Sequence, residues 1–135
     1  MLEFVDRPPS AEELRVLAEA VGWVDHFDWD NVDRALAGSV LGVVALEDGE
    51  VAGAARVVGD GVRYFYVQDV MVRPESSDQG IASTLVERLL ERIAGIASAE
   101  AVVGLFASPE AVGVYESLGF RAADGDPLGM TRAVP

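Results

Sequence analysis

Three apolar segments separated by short turns constrain the fold of this 135-residue chain more than any other feature. They read SVLGVVAL, VAGAARVV and VRYFYVQDVMV, and they begin at residues 39, 51 and 62. Asp48-Gly49 between the first two segments is typical of a two-residue hairpin turn, and a Gly-Asp-Gly sequence marks the second turn. The pattern therefore predicts three consecutive antiparallel strands.

The residues before this meander predict one strand and one amphipathic helix. LEFVD, from residue 2, indicates a short opening strand that Pro8 and Pro9 end. Ser10 and Glu13 form the Ser-x-x-Glu capping box that starts helices, and Gly22 is typical of a helix end. Apolar side chains repeat at helical spacing between these two signals.

After the meander the chain alternates between helix and strand. Residues 79–95 carry apolar side chains at four-residue spacing and predict a helix. AVVGLF, from residue 101, predicts a buried strand parallel to its neighbour. Ser108 and Pro109 are typical of the start of another helix, and LGMTRAV, from residue 128, predicts a closing strand.

This order of elements predicts a single domain over residues 1–135. A meander followed by a β-α-β crossover places all the strands in one mixed sheet. We expect an α/β (α+β) fold with a mostly antiparallel central sheet of about six to seven strands and helices on both faces.

Composition excludes several classes of partner and site. The formal net charge is −13, with ten arginines and no lysine, so the chain is not expected to bind nucleic acid. The acidity indicates either attraction for a cationic substrate or adaptation to high intracellular salt, and the even spread of the acids favours the second. One histidine and no cysteine predict no metal site. Without a signal peptide or an apolar run of about 18 residues, we expect a cytoplasmic protein that does not bind membranes.

One stretch combines a strand end, a turn and a helix start. Val72-Arg73-Pro74 ends the meander, and Gly80-Ile81-Ala82 opens the following helix. The first N–H groups of a helix are unpaired and lie at the positive end of its dipole, so such a turn can hold a pyrophosphate without basic side chains. Taken alone, the stretch is equally compatible with an ordinary strand-to-helix turn.

Together with AVGVYESLGF, from residue 111, this stretch resembles the GNAT superfamily of acetyl-CoA-dependent N-acyltransferases. The resemblance covers nearly the whole chain and rests on the motifs Q/R-x-x-G-x-G/A and A-x-x-x-Y-x-x-x-G-F. Gly80, Ile81 and Ala82 match the loop motif, whereas Ser77 stands where the family has Gln or Arg and Asp78 where glycine is common.

The resemblance implies acetyl-CoA as the co-substrate. The backbone N–H of Val70 would face the thioester carbonyl, and Val72 would bond the pantetheine amide. The implied cofactor-binding set lies on the strand end, the loop and the helix start: Val70, Met71, Val72, Ser77, Asp78, Gln79, Gly80, Ile81, Ala82 and Ser83.

The resemblance also implies that Tyr115 is the general acid of acetyl transfer to an amine. The alternative for Tyr115 is an aromatic residue of the core. Asp69 is the candidate general base, because a carboxylate in an apolar strand is costly unless it is functional or paired. Pairing of Asp69 with arginine or backbone groups is the equal alternative.

The loop WVDHFDWDN, from residue 23, occupies the region that shapes the acceptor pocket in the resembled family. Trp23, Phe27 and Trp29 could line that pocket, but anchoring of the neighbouring helices to the sheet is the favoured interpretation of the two tryptophans. His26, among several acids, is interpreted as a surface residue.

Two functions follow from these observations. The first is an N-acetyltransferase that joins acetyl-CoA and a small-molecule or peptide amine in a ternary complex, and Tyr115 with the intact Gly80-Ile81-Ala82 favours it. The second is a non-catalytic acyl-CoA-binding or structural domain, which the loop residues Ser77 and Asp78 favour. The sequence does not identify the acceptor amine. It also does not distinguish a monomer from a homodimer.

Overall fold

The computed structural model describes residues 1–125 and 127–134. Five strands form one sheet in the order β1-β2-β3-β4-β5, and every neighbouring pair is antiparallel except β4 and β5, which are parallel. The strands are β1 Leu2–Val5, β2 Leu41–Glu47, β3 Glu50–Gly59, β4 Tyr64–Val72 and β5 Val102–Gly104. The predicted meander and the parallel strand after it are therefore confirmed.

Within the described residues, four α-helices and three short 3₁₀ turns lie between the strands and after the last of them. The helices are α1 Ala11–Val21, α2 Val32–Ala37, α3 Ile81–Ile96 and α4 Val112–Ser117, and the 3₁₀ turns are Val24–His26, Pro74–Gln79 and Pro109–Ala111.

Local signals in the sequence account for the element boundaries near the N-terminus and at the hairpin. The Ser10 hydroxyl accepts from the Glu13 backbone N–H at 3.1 Å, and the Glu13 carboxylate accepts from the Ser10 N–H at 2.9 Å, so the predicted capping box is present. Asp48 and Gly49 both have positive φ angles, 52° and 84°, as a type I′ hairpin turn requires.

The predicted number of strands is wrong, because the described residues contain five rather than six to seven. LGMTRAV, at residues 128–134, forms no strand, and its side chains are exposed, Leu128 by 65% and Met130 by 86%. The neighbouring edge strand β5 has only three residues, so it offers few backbone groups to a further strand.

The helix predicted from Gln79 begins instead at Ile81. Gly80 has a left-handed backbone, with φ 68° and ψ 22°, which separates the 3₁₀ turn Pro74–Gln79 from α3. Glycine adopts this conformation without steric cost, so the turn and the helix can meet at a sharp angle.

Helices cover both faces of the sheet, as predicted. On one face, α3 packs its buried side chains on β2, β3 and β4, and this cluster includes Leu85, Leu89, Val43, Val57 and Phe65. On the other face, α1 and α2 pack on the same strands, and this cluster includes Leu14, Leu17, Leu36, Val44 and Met71. No helix of the described residues is both long and apolar enough to cross a membrane.

Candidate active site

A cleft opens where the parallel strands β4 and β5 separate. The two strands pair only from Tyr64 with Val102 to Tyr66 with Gly104. β4 continues to Val72, and within the described chain no strand pairs with this part of β4 on the β5 side. Backbone N–H and C=O groups on that side are therefore available to a ligand, as they are along any open strand edge.

The cleft has a volume of about 510 Å³ and receives side chains from four parts of the chain. They are the loop after α1, the end of β4, the segment after β5, and α4 with the turn before it. The lining residues are Trp23, His26, Phe27, Val67, Gln68, Asp69, Val70, Leu105, Phe106, Ser108, Ala111 and Tyr115.

A β-bulge brings Asp69 and Val70 to the cleft. Arg56 of β3 pairs with Gln68, and Ala54 pairs with Met71, so two residues of β4 lie opposite the single residue Ala55. Asp69 has a φ of 56°, a left-handed conformation that is uncommon for residues other than glycine. Such bulges re-aim side chains and interrupt strand pairing next to functional sites.

Asp69 forms an ion pair with Arg56 inside the protein. The Arg56 Nε donates to Asp69 Oδ2 at 2.7 Å, and both side chains are largely buried. The Arg56 guanidinium also donates to the Ala35 carbonyl and the Ser39 hydroxyl, each at 3.2 Å. Of the two alternatives for Asp69, pairing with arginine is therefore observed, and this pair ties the bulge to the end of α2.

The second carboxylate oxygen of Asp69 remains accessible. Within the described chain Oδ1 accepts no hydrogen bond, and no buried side-chain oxygen or nitrogen of these residues lacks a partner. Oδ1 must therefore reach solvent. Because Asp69 also lines the cleft, this oxygen can accept a proton or a hydrogen bond there.

Tyr115 lies on α4 and lines the same cleft as Asp69 and Val70 of β4. Its ring is buried against Phe120 in an edge-to-face arrangement with a centroid distance of 5.9 Å. Burial raises the pKa of Tyr115 above the usual value of 10.0 for a phenol. The hydroxyl therefore stays protonated at neutral pH. The ring belongs to the core while Tyr115 also lines the cleft, so the two interpretations from sequence are compatible.

The loop before α3 ends in a helix start without a side-chain cap. No described side chain accepts from the first turn of α3, and that turn carries no acid. A Cβ built on Gly80 meets no described atom within 4 Å, so the space beside the turn is open. Unpaired N–H groups facing open space are the features that an anion requires at a helix N-terminus.

Side chains of the loop point to other partners than this open space. The Ser77 hydroxyl donates to the Pro74 carbonyl at 2.8 Å, and the Gln79 amide donates to Glu47 at 3.0 Å. Asp78 is exposed and makes no hydrogen bond within the described chain. Asp78 therefore does not cap α3, because Gly80 is the capping residue.

The aromatic loop after α1 divides between the cleft and the core. Trp29 is partly buried against the core, donates to the Val24 carbonyl at 3.0 Å and lies beneath the Arg15 guanidinium. Trp23 lines the cleft and is in edge contact with His26, which is exposed as predicted. Anchoring is therefore confirmed for Trp29 alone.

Sequence reasoning missed several residues at the cleft. Phe106 lies just after β5, is 65% exposed and contacts Tyr66 edge to face. Its position at the carboxyl end of a predicted parallel strand was the available signal, because ligands of such sheets bind at that end. No sequence pattern marked Arg56 as a partner of Asp69, because the two residues are brought together only by the register of β3 and β4.

Comparison with known proteins identifies the family of the chain. Residues 11–129 match the acetyltransferase (GNAT) domain family. The chain belongs to this family, whose members are acyltransferases that use acetyl-CoA as the acetyl donor.

Curated relatives support the same assignment but are longer proteins. Serotonin N-acetyltransferase 2, chloroplastic, of Oryza sativa subsp. japonica is 37% identical over 64% of this chain and 44% of its own length. An uncharacterized N-acetyltransferase of Pyropia yezoensis is 28% identical over 80% of this chain and 63% of its own length. The chain therefore spans less than two thirds of the curated relatives that it matches.

Solved structures share the fold over the full chain. A GNAT-family acetyltransferase of Streptococcus pneumoniae is 29% identical, with a TM-score of 0.83 and coverage of 100% of this chain and 98% of its own. A probable acetyltransferase of Staphylococcus aureus is 22% identical, with a TM-score of 0.89 over 99% of this chain and 100% of its own. A predicted acetyltransferase of Clostridium acetobutylicum, solved with acetyl-CoA, is 17% identical, with a TM-score of 0.71 over 97% and 96%.

Proposed function

We propose that the chain is an N-acetyltransferase that transfers an acetyl group from acetyl-CoA to a primary amine by direct attack in a ternary complex. The observation that carries the proposal is the cleft between β4 and β5. It brings a phenol from α4 and a bulged carboxylate from β4 together beside an open strand edge. Proton donor, proton acceptor and backbone donors are the groups that amine acylation needs.

The residues near the cleft fit acetyl-CoA, which supplies the acetyl group as an activated thioester when it is bound. The open edge at Val70, Met71 and Val72 offers backbone groups to a pantetheine arm. The turn from Ser77 to Ser83 offers the uncapped N–H groups of α3 to a pyrophosphate. Open space at Gly80 supports this fit, because a side chain at that position would fill it.

Tyr115 is proposed as the general acid. Its hydroxyl oxygen holds a proton at neutral pH, since burial raises the pKa of Tyr115. The hydroxyl makes no hydrogen bond to another described residue, so the proton is free to move to a leaving group in the cleft. A positioned general acid typically contributes about 10²- to 10⁴-fold in rate.

Asp69 is proposed as the general base through Oδ1. Arg56 holds Oδ2 and so fixes the orientation of the carboxylate, while Oδ1 can take a proton from an amine or from a water between them. The negative charge of the carboxylate also attracts the acceptor while the amine is still protonated and cationic.

The acceptor is proposed to be a small-molecule or peptide amine. Trp23, Phe27 and Phe106 give the cleft apolar walls, and Asp69 gives it a negative charge. The rice relative is named as a serotonin N-acetyltransferase. Serotonin is therefore the first amine to test, followed by polyamines, amino sugars and peptides. Cytoplasmic location, salt adaptation and a homodimer stay predictions.

Binding and turnover together test the proposal. A ligand that binds only the native state at a hundred times its Kd adds about 2.7 kcal/mol of stability, so acetyl-CoA should raise Tm by several degrees. Release of free CoA with an amine panel, in dilute and molar salt, then measures turnover. A Tm shift without turnover for any amine would favour the non-catalytic acyl-CoA-binding domain that Ser77 and Asp78 suggest.

A further inference from the structure

Glu47 contacts both ends of the turn that precedes α3. Glu47 is the last residue of β2, far from this turn in sequence. Its Oε1 accepts from the Arg73 guanidinium and from the Ser76 hydroxyl at 3.0 Å, and its Oε2 accepts from the Gln79 amide at 3.0 Å. Both carboxylate oxygens are thus engaged by donors at the two ends of the 3₁₀ turn Pro74–Gln79.

These contacts are the main tertiary anchor of the turn. Ser76 is 1% exposed, less than any other polar or charged residue among residues 1–125 and 127–134. Its hydroxyl accepts from Arg73 Nε at 2.8 Å and donates to Glu47, so the three side chains form a closed network. Ser76 is also the turn's only buried residue, and no apolar core holds the turn in place. Hydrogen bonds to a charged group are the stronger class, so the network can take that role.

The same network pairs the positive charge of Arg73 with Glu47. Arg73 is the one basic residue between β4 and α3, and its guanidinium is bound to Glu47 and lies 3.9 Å from Glu50. The Arg73 guanidinium is therefore engaged by Ser76 and Glu47 on the protein side of the turn. The backbone N–H groups after Gly80 have no side-chain cap and remain as the donors proposed for an anion.

We propose that Glu47 is a positioning residue that fixes the turn Pro74–Gln79 and thereby presents the first N–H groups of α3 to the pyrophosphate of acetyl-CoA. This inference rests on the proposed function for its ligand, but the positioning itself is a property of the free protein. An anion site made of backbone donors depends on the backbone being held before the ligand arrives, because ordering the loop on binding lowers affinity.

Hydrogen–deuterium exchange tests the positioning without any ligand. Glu47→Ala should accelerate amide exchange in residues 75–80 while the body of α3 and the sheet keep their protection. Glu50→Ala is the matched control, since Glu50 is 83% exposed and touches the same arginine only at 3.9 Å. If Glu47→Ala does not fold, Glu47→Gln keeps the side-chain length and removes the charge. Unchanged exchange at residues 75–80 in the folded Glu47 variant would overturn the proposal.

Binding of two ligands then locates the effect. CoA contains the pyrophosphate, and S-acetylpantetheine contains the thioester arm without it. Glu47→Ala should weaken CoA about tenfold, as expected for loss of a hydrogen bond to a charged group, and should leave S-acetylpantetheine unchanged in an NMR titration. Equal weakening of both ligands would indicate general destabilisation and overturn the proposal. Tighter CoA binding would show that the negative charge of Glu47 matters more than its hydrogen bonds, with the same consequence.

The outcomes also separate this proposal from the proposed function. If the unmodified protein binds neither CoA nor S-acetylpantetheine, the proposed function fails, and the pyrophosphate part of this inference fails with it. The exchange experiment still decides whether Glu47 holds the turn.

Discussion

The turn before α3 and the cleft between β4 and β5 differ in which part of the chain they present. The turn presents backbone N–H groups, while its Ser77 hydroxyl bonds to Pro74 within the turn and its Gln79 amide bonds to Glu47. The cleft presents side chains, with Asp69 from the bulge, Tyr115 from α4 and Trp23 from the loop after α1. The turn is proposed to bind the pyrophosphate of acetyl-CoA, and the cleft is proposed to carry out proton transfer.

This difference predicts unequal tolerance of substitution. A site made of backbone donors depends on conformation, so it tolerates side-chain changes that preserve the backbone, such as the serine and aspartate at 77 and 78. A site made of side chains depends on each functional group, so removal of a single proton donor or acceptor should lower kcat. Four predictions test this contrast, from the largest expected effect to the smallest.

Gly80→Glu should abolish binding of acetyl-CoA. The substitution places a negative side chain in the open space beside the turn and forces a bulky residue into a backbone with φ 68°. Gly80→Asn is the matched control, because asparagine tolerates the left-handed conformation and carries no charge. Isothermal titration calorimetry measures both. Normal affinity of Gly80→Glu would show that the phosphates do not lie at this turn.

Tyr115→Phe should lower kcat by at least about tenfold, since a general acid typically contributes about 10²- to 10⁴-fold and water can replace part of it. The ring and its contact with Phe120 are kept, so acetyl-CoA binding should not change. Steady-state kinetics and calorimetry measure the two quantities. An unaltered kcat would leave Tyr115 as a core residue only.

Asp69→Asn should lower kcat about tenfold with little change in acetyl-CoA affinity, because it removes the proton acceptor. Asparagine tolerates the left-handed backbone of the bulge, so the strand geometry should persist. Arg56→Met is the companion variant, since it breaks the 2.7 Å ion pair but keeps the carboxylate. If Arg56→Met loses activity and Asp69→Asn does not, the pair has a structural role alone and the base lies elsewhere.

Asp78→Gly should tighten acetyl-CoA binding several-fold in dilute buffer and scarcely at all in molar salt. A carboxylate about 6 Å from a phosphate repels it by roughly 3 kcal/mol at an effective dielectric of about 20, and solvent exposure should reduce this to about 1 kcal/mol or less. Molar salt shortens the Debye length to about 3 Å and removes most of the remainder.

Asp78→Asn controls for the added flexibility of glycine in that experiment. Calorimetry of the three proteins at two salt concentrations decides the outcome. Equal affinities in dilute buffer would mean that the exposed carboxylate of Asp78 lies too far from the phosphates to repel them. Asp78 would then not weaken acetyl-CoA binding at this loop.

Features that depend on neighbouring residues were predictable from the sequence. The capping box at Ser10 and Glu13 and the hairpin turn at Asp48 and Gly49 involve residues at most three positions apart, and both form as predicted. The loop motif at Gly80 belongs to the same class, because a glycine between a turn and a helix has one main conformational use. The helix start was displaced only by the 3₁₀ turn before it.

Features that depend on distant residues were not predictable. The closing strand at residues 128–134 failed because a strand needs a partner, and β5 is three residues long. Trp23 and Trp29 share one loop and one residue type, yet one lines the cleft and the other packs against the core. The sequence pattern around the two tryptophans does not indicate which parts of the fold each side chain contacts.

The sequence by itself determined the order of the elements up to α4, the hairpin turn at Asp48-Gly49 and the residues proposed as proton donor, proton acceptor and left-handed glycine. These follow from conformational preferences and from chemistry that each residue carries alone. Tertiary structure decided that Asp69 pairs with Arg56 across a bulge, that Glu47 accepts hydrogen bonds from Ser76 and Gln79 of the turn before α3, and that residues 128–134 form no strand. Each of these depends on the register of strands and on contacts between residues far apart in the chain, which are settled only when the whole sheet has formed.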